Sequence, residues 1–245
     1  MITHFIDLLP SLTPGGNSVG GSAILPSDIP YPTCDCGQRM VLFLQFGIQP
    51  EFGLPFRSGS QFALFMCPLH NDVPEMFPDG QLPATYWEQR VMMGGGLKFF
   101  DLFLPRPENQ IKIHPPDPWL QPQTLNYLQK FEQPDRDGFE LVMHPKYPAF
   151  SFSVGEAVGG WQGMKIGGQP SWAQAPQVHR CSCGAEMVFL CQIPENFPFP
   201  KLPTAPKQRD SFSSEDYCLF LGNEVYVFAC EAQCHPRALH VVVQN

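Results

Sequence analysis

The sequence predicts a β-rich α+β fold built from two copies of one small sheet unit, with few short helices. Three observations carry this expectation. Prolines number 28 in 245 residues, and each one inside a helix removes a backbone N–H and clashes with the preceding turn. The apolar segments are short and bounded by turn residues, as buried strands are. The segment CDCGQRMVLFLQF from Cys34 to Phe46 recurs as CSCGAEMVFLCQI from Cys181 to Ile193, with Cys, Cys, Gly, Met, Val and Gln in the same places at an offset of 147 residues.

Taken along the chain, Gly20-Gly21 precedes the first Cys-x-Cys-Gly by the interval at which Gly167-Gly168 precedes the second. Met40–Phe46 reads as a buried strand, and Phe62–Cys67 as a second one ending in a cysteine. Gly94-Gly95-Gly96 marks a turn, and Leu97–Leu104 and Phe139–Met143 read as further strands. Between them, Thr124–Gln133 predicts a short helix with Leu125, Leu128 and Phe131 on one side. Pro145, Pro148 and Gly155 to Gly160 punctuate the chain before the second copy. There Met187–Ile193 is the first strand, and the Pro-rich stretch from Pro194 to Pro206 makes the copy 16 residues longer. Tyr217–Leu221 and Val225–Phe228, joined through Gly222-Asn223, read as a β-hairpin, and Val225–Cys230 aligns with Phe62–Cys67. The expected divisions are residues 1–76 for the first repeat, 77–158 for a connecting region packed on the same body, and 159–245 for the second repeat.

The repeat gives the cysteines a chemistry. Two cysteines one residue apart, followed by glycine, form a tight turn that brings both sulfurs to one point, and zinc takes four such donors in a tetrahedron. The first copy offers Cys34, Cys36, Cys67 and His70. The second offers Cys181, Cys183 and Cys230, with either Cys234 or His235 as the fourth. Four donors at each site describe closed, structural coordination, because a catalytic zinc keeps one position open for water. The expectation is two structural zinc ions. Cys191 and Cys218 fall in apolar runs, where a cysteine behaves as a small hydrophobe. The cysteine count of nine is odd and no secretory signal begins the chain, so a disulfide framework is not expected.

Other chemistries find little support. A net charge of −8, with 15 Lys and Arg scattered along the chain, does not suit phosphate-backbone recognition, so no nucleic-acid partner is expected. No apolar run approaches the length of a membrane span, and a cytoplasmic location is expected. Gly16-Asn17-Ser18-Val19-Gly20 matches a serine-nucleophile pattern, but Pro14 before it and Gly21, Pro26 and Pro30 after it do not fit the strand and helix which that pattern needs. Gln45 and Gln192 end equivalent strands, and a buried amide must find partners for two donors and an acceptor.

Lys165-Ile-Gly-Gly-Gln-Pro-Ser-Trp-Ala-Gln174, then Cys-x-Cys-Gly, then Met187-Val-Phe-Leu-Cys-Gln192 resembles the bacterial YwqG-like proteins. It is also similar to eukaryotic programmed cell death protein 2, over about residues 160–235. In the first copy Ala23, Ile24 and Leu25 stand where the second has Pro170, Ser171 and Trp172. The resemblance implies a duplicated β-rich fold without established catalysis, and a binding face at Gly168, Pro170, Trp172, Gln174 and Gln192. It also implies a non-enzymatic, zinc-stabilised protein-binding module, in its most specific form an immunity protein that neutralises a toxin by direct binding. The acidic surface would suit a basic toxin. A chaperone for a newly made ribosomal protein is the alternative it implies, and a hydrolase using zinc or Ser18 is an alternative from another class.

Overall fold

The computed structural model describes residues 2–11, 16–34, 37–68, 97–103, 110–132, 141–143, 151–153, 163–208, 213–235 and 238–245. In chain order its strands are β1 (Ile2–Pro10), β2 (Ser18–Val19), β3 (Ile24–Pro26), β4 (Val41–Gly47), β5 (Gln61–Met66), β6 (Leu97–Phe103), β7 (Ile111–Ile113) and β8 (Gln123–Glu132). They continue as β9 (Leu141–Met143), β10 (Ser151–Ser153), β11 (Lys165–Gly167), β12 (Met187–Ile193), β13 (Phe199–Pro200), β14 (Asp216–Tyr217), β15 (Glu224–Cys230) and β16 (Leu239–Gln244). The helical content among the described residues is the 3-10 turn Pro50–Phe52 and a single 3-10 residue, Gln110. The β-rich expectation is borne out.

Ten strands form one curled sheet in the order β16-β15-β12-β11-β1-β8-β2-β4-β5-β6, and every pairing in it is antiparallel. Two further features recur at equivalent places. Ser18 and Val19 of β2 face Gln45 and Leu44 of β4, while Lys165 and Ile166 of β11 face Gln192 and Cys191 of β12. A bulge interrupts β4 against β5 between Leu42 and Leu44, and another interrupts β12 against β15 between Phe189 and Cys191.

The bulges explain why these strands read as continuous apolar runs. An extra residue shifts the alternation of side chains by one, so Val41, Phe43, Leu44 and Phe46 all reach the large core, as do Leu190, Cys191 and Ile193. The opposite faces are buried too. Leu25, Cys34, Met40, Leu42, Phe65 and Cys67 share one smaller cluster, and Trp172, Cys181, Met187, Phe189, Phe228 and Cys230 share another.

Two expected elements differ. Residues Thr124 to Glu132 lie in strand β8, not in a helix, because seven register pairs with β1 satisfy their backbone in the middle of the sheet. The periodicity of Leu125, Leu128 and Phe131 is local, and sheet pairing overrides it. The hairpin expected through Gly222-Asn223 is also absent: Tyr217 pairs with Phe199 in the β13–β14 ribbon, and the chain turns at Phe220 and Gly222, both with positive φ. The expected strand over Phe139–Met143 is seen as β9, paired with β10. The Gly94 to Gly96 turn and the punctuation at Pro145, Pro148 and Gly155 to Gly160 lie outside the described residues.

The buried amides organise both halves. Gln45 Oε1 accepts from the Ile24 N–H at 3.1 Å, and its Nε2 donates to Ser18 Oγ and the Ser22 carbonyl. Gln192 Oε1 accepts from the Ser171 N–H at 2.9 Å. Replacing Gln192 with Leu should leave that buried N–H unpaired and cost about 1–3 kcal/mol, read as a lower urea midpoint with an unchanged slope.

Candidate metal centre

The centre is built by two tight turns at the same end of adjacent strands. In the first, an Arg180–Glu186 bridge closes the loop ahead of β12. The Cys181 N–H donates to the Ala185 carbonyl at 2.9 Å, and the Gly184 N–H to the Cys181 carbonyl at 2.8 Å. Gly184 has φ of +90° with open space around it. The left-handed backbone, not crowding, therefore calls for glycine there. In the second turn, Cys230 ends β15 opposite Met187, and the Gln233 N–H donates to the Cys230 carbonyl at 2.9 Å. The chain then reverses toward β16, placing Cys234 over the first pair.

The Sγ atoms of Cys181, Cys183, Cys230 and Cys234 all lie within 4.8 Å of one another. Cys181 and Cys234 are 3.5 Å apart, and Cys183 and Cys230 are 3.6 Å apart. Those separations are far beyond the ~2.05 Å of a disulfide. A tetrahedron with thiolates about 2.3 Å from zinc has edges of about 3.8 Å, so the four sulfurs fit one metal ion. Cys181 and Cys230 are buried, while Cys183 and Cys234 are exposed. The fourth member is thus Cys234, and His235 is not part of the group.

The thiols differ in acidity. The Ala185 backbone N–H holds Cys183 below the usual thiol range, with the neighbouring thiols adding to the effect. Burial pushes Cys230 and Cys234 up. A metal must displace those protons, so binding strengthens as pH rises.

The first half repeats the backbone of this turn. Thr33 and Arg39 form the bridge, the Cys34 N–H donates to the Gln38 carbonyl, and the Gly37 N–H donates to the Cys34 carbonyl, both at 2.8 Å. Cys34 and Cys67 share one buried cluster. Cys36 and His70 lie outside the described residues. Cys191 and Cys218 are both buried, as expected of small hydrophobes, and burial raises both thiols, Cys218 to about 11.

The residues expected at a binding face divide by depth. Trp172 is inside, its ring stacked on Phe228 at 5.7 Å and tilted against Tyr226 at 4.8 Å. Gln192 is fully buried. Gly168 and Pro170 are half-buried and Gln174 is exposed, with the Gln174 backbone and amide tied to Gln244 and Asn245. Ser18 is fully buried, donating to the Gly20 carbonyl and accepting from Gln45. No helix among the described residues is long and apolar enough to cross a membrane.

No protein-family model matches the chain, and no curated protein matches it.

Sequence reasoning missed a buried charge cluster beneath the Gly-Gly turn. Lys165 is 1% exposed, and its Nζ donates to Ser171 Oγ at 2.6 Å. Burial lowers its pKa to about 7 against the pull of Glu224. Glu224 is 3% exposed, and burial raises its pKa to about 8 against the pull of Lys165. Only the alternation of β11 and β15 hinted that these positions face inward.

Two outcomes follow from these sites. Cys230→Ser or chelation should release the metal and cost about 5 kcal/mol or more, lowering the melting temperature by about 10 °C, whereas Cys218→Ser should leave the metal content unchanged. The unfolded Glu224 ionises above its ordinary 4.5 while the folded one holds its proton to about 8, so stability falls as pH rises through that window. The unfolded Lys165 keeps its charge to 10.5 while the folded one loses it near 7, so stability recovers above that. Thermal melts across pH should therefore show a dip near neutral that is shallower in Lys165→Met/Glu224→Gln.

Proposed function

We propose that the chain is an internally duplicated, zinc-stabilised protein-binding module without catalytic activity, acting as an immunity protein that binds a basic toxin. The observation that carries this reading is the closed set of four thiolates. Four protein donors fill a tetrahedral zinc and leave no position for water or substrate, so the ion secures the two turns against each other. The first ion would take Cys34, Cys36, Cys67 and His70.

The duplication is supported by the sheet order, in which four strands lie on each side of the β1–β8 pair and β11, β12 and β15 correspond in sequence to β2, β4 and β5, and by the matched bulges and turns. It is supported as well by the small clusters, where Leu25, Cys34, Met40 and Leu42 correspond to Trp172, Cys181, Met187 and Phe189 at the same offset. A recognition face at Gly168, Pro170 and Gln174 would rest on Trp172 and Gln192 beneath it. The net charge of −8 favours a basic partner, because complementary potential speeds association and selects against acidic competitors.

Metal analysis of the purified chain should return two zinc ions per molecule; one ion would remove the first site. Affinity purification from the native cell with mass spectrometry should recover a basic protein. Its binding should weaken about tenfold, near 1.4 kcal/mol, in Gln174→Ala with the melting temperature unchanged. Recovery of no partner, or binding indifferent to Gln174 and Pro170, would sink the reading.

A further inference from the structure

The first half carries a second polar constellation, beside the turn that holds Cys34. A cleft of about 500 Å³ opens beside the Thr33–Arg39 bridge, walled by Ile29, Pro30 and Pro115. That volume lies within the range of small-ligand sites. Tyr31 lines it, with its hydroxyl donating to Asp117 Oδ2 and its ring edge-on to Phe65 at 5.4 Å. The Arg39 guanidinium lies 3.8 Å above the Tyr31 ring and 3.5 Å from Asp117 Oδ1, with its side chain 42% exposed. Asp117 is buried and also accepts the Leu42 N–H at 3.2 Å.

Lys112, exposed on β7, adds a second cation to the wall, and Asp28 stands at the same cleft. His114, two residues on, is only 7% exposed and packs edge-on to Tyr31 at 4.9 Å. Its Nε2 is buried with no hydrogen-bond partner. A buried ring nitrogen without a partner forfeits about 1–3 kcal/mol, which a ligand group in the cleft would restore. Burial, then the charges of Lys112 and Arg39, lower the His114 pKa and keep the ring neutral near pH 7.

We propose that this cleft binds a singly charged carboxylate, held by Arg39 and Lys112 with the His114 ring as its neutral hydrogen-bond partner. The charge balance selects the ligand. Arg39 already shares its charge with Asp117, and the exposed Asp28 partly offsets Lys112, so the lining favours one negative charge at most. A phosphate dianion would face the Asp117 and Asp28 carboxylates as well. The planar guanidinium matches a carboxylate in shape, and its stacking on Tyr31 fixes the plane in advance. The fold does not require this chemistry: at the 147-residue offset Val178 and Glu186 replace Tyr31 and Arg39, and the Arg180–Glu186 bridge still closes that turn.

The carboxylate could belong to a small metabolite or to a peptide terminus. The test titrates the zinc-loaded full chain with N-acetylglycine, with acetyl-trialanine bearing a free carboxylate, with the same peptide as its amide, and with inorganic phosphate. It follows the His114 imidazole signals by nitrogen-15 NMR. The carboxylate probes should shift those signals and saturate with Kd of about 1 mM or tighter. The amide should not. Tighter binding of the peptide assigns a chain terminus as the natural group, and equal binding assigns a small molecule. Lys112→Glu, at an exposed position, should weaken binding about tenfold, and His114→Phe, which keeps the ring against Tyr31, should weaken it similarly. Equal response to the amide, preference for phosphate, or no response at all would overturn the proposal.

Discussion

The antiparallel pairing of β1 with β8 is the contact on which the rest of the architecture depends. Its eight register pairs run through the centre of the ten-stranded sheet. On one side β1 adds β11, β12, β15 and β16, and on the other β8 adds β2, β4, β5 and β6. The N-terminal strand thus completes the C-terminal half, since Thr3, His4 and Phe5 pair with Gly167, Ile166 and Lys165. Each half borrows a strand that lies far off in sequence. Neither could pair its β2 or β11 edge alone, and unpaired backbone groups inside a sheet are costly. Contacts this distant also delay folding, because the loop-closure entropy comes before the reward.

Each half contains a Gly-Gly turn, a two- or three-residue strand, a bulged strand and a buried glutamine that holds the returning loop. The glutamine does what a further strand would do, accepting an N–H that the sheet cannot reach. The bulge then lets both faces of one strand be apolar, one toward the shared core and one toward the cysteine-bearing cluster. This explains why so little charge appears in these segments, and why the thiols sit at the rim of an apolar cluster. The two halves are joined at that rim as well. Gln233, in the turn between Cys230 and Cys234, accepts the Arg57 N–H at 3.0 Å and donates to Ser60 Oγ at 3.1 Å.

The two halves differ in their electrostatics. Ser18 and Gln61 occupy neutral, hydrogen-bonded places in the first half, and the corresponding positions in the second hold Lys165 and Glu224. A buried pair of that kind is weak evidence of stabilisation, because desolvation can exceed the Coulombic gain. At the cleft, Tyr31 and Arg39 gather around Asp117, and the positions matching Tyr31 and Arg39 at the 147-residue offset hold Val178 and Glu186. The two halves share turn and bulge geometry but hold different polar groups.

The sequence by itself determined the local pieces: the strand Met187–Ile193, the strand Phe62–Cys67 to within one residue of the observed Gln61–Met66, the paired turns at Cys34 and Cys181, and three of the second centre's thiols. These follow from short-range rules, since turn residues, alternation and ligand spacing act over a few residues. Tertiary structure decided the rest. It made Thr124 to Glu132 a strand because β1 was there to pair with it, and it chose Cys234 over His235 because the turn after β15 brings that sulfur within reach. It also buried Lys165 beside Glu224 and set Asp117 under Tyr31 across 86 positions. Each of those outcomes depends on which distant segment arrives alongside, and a linear pattern does not encode that arrival.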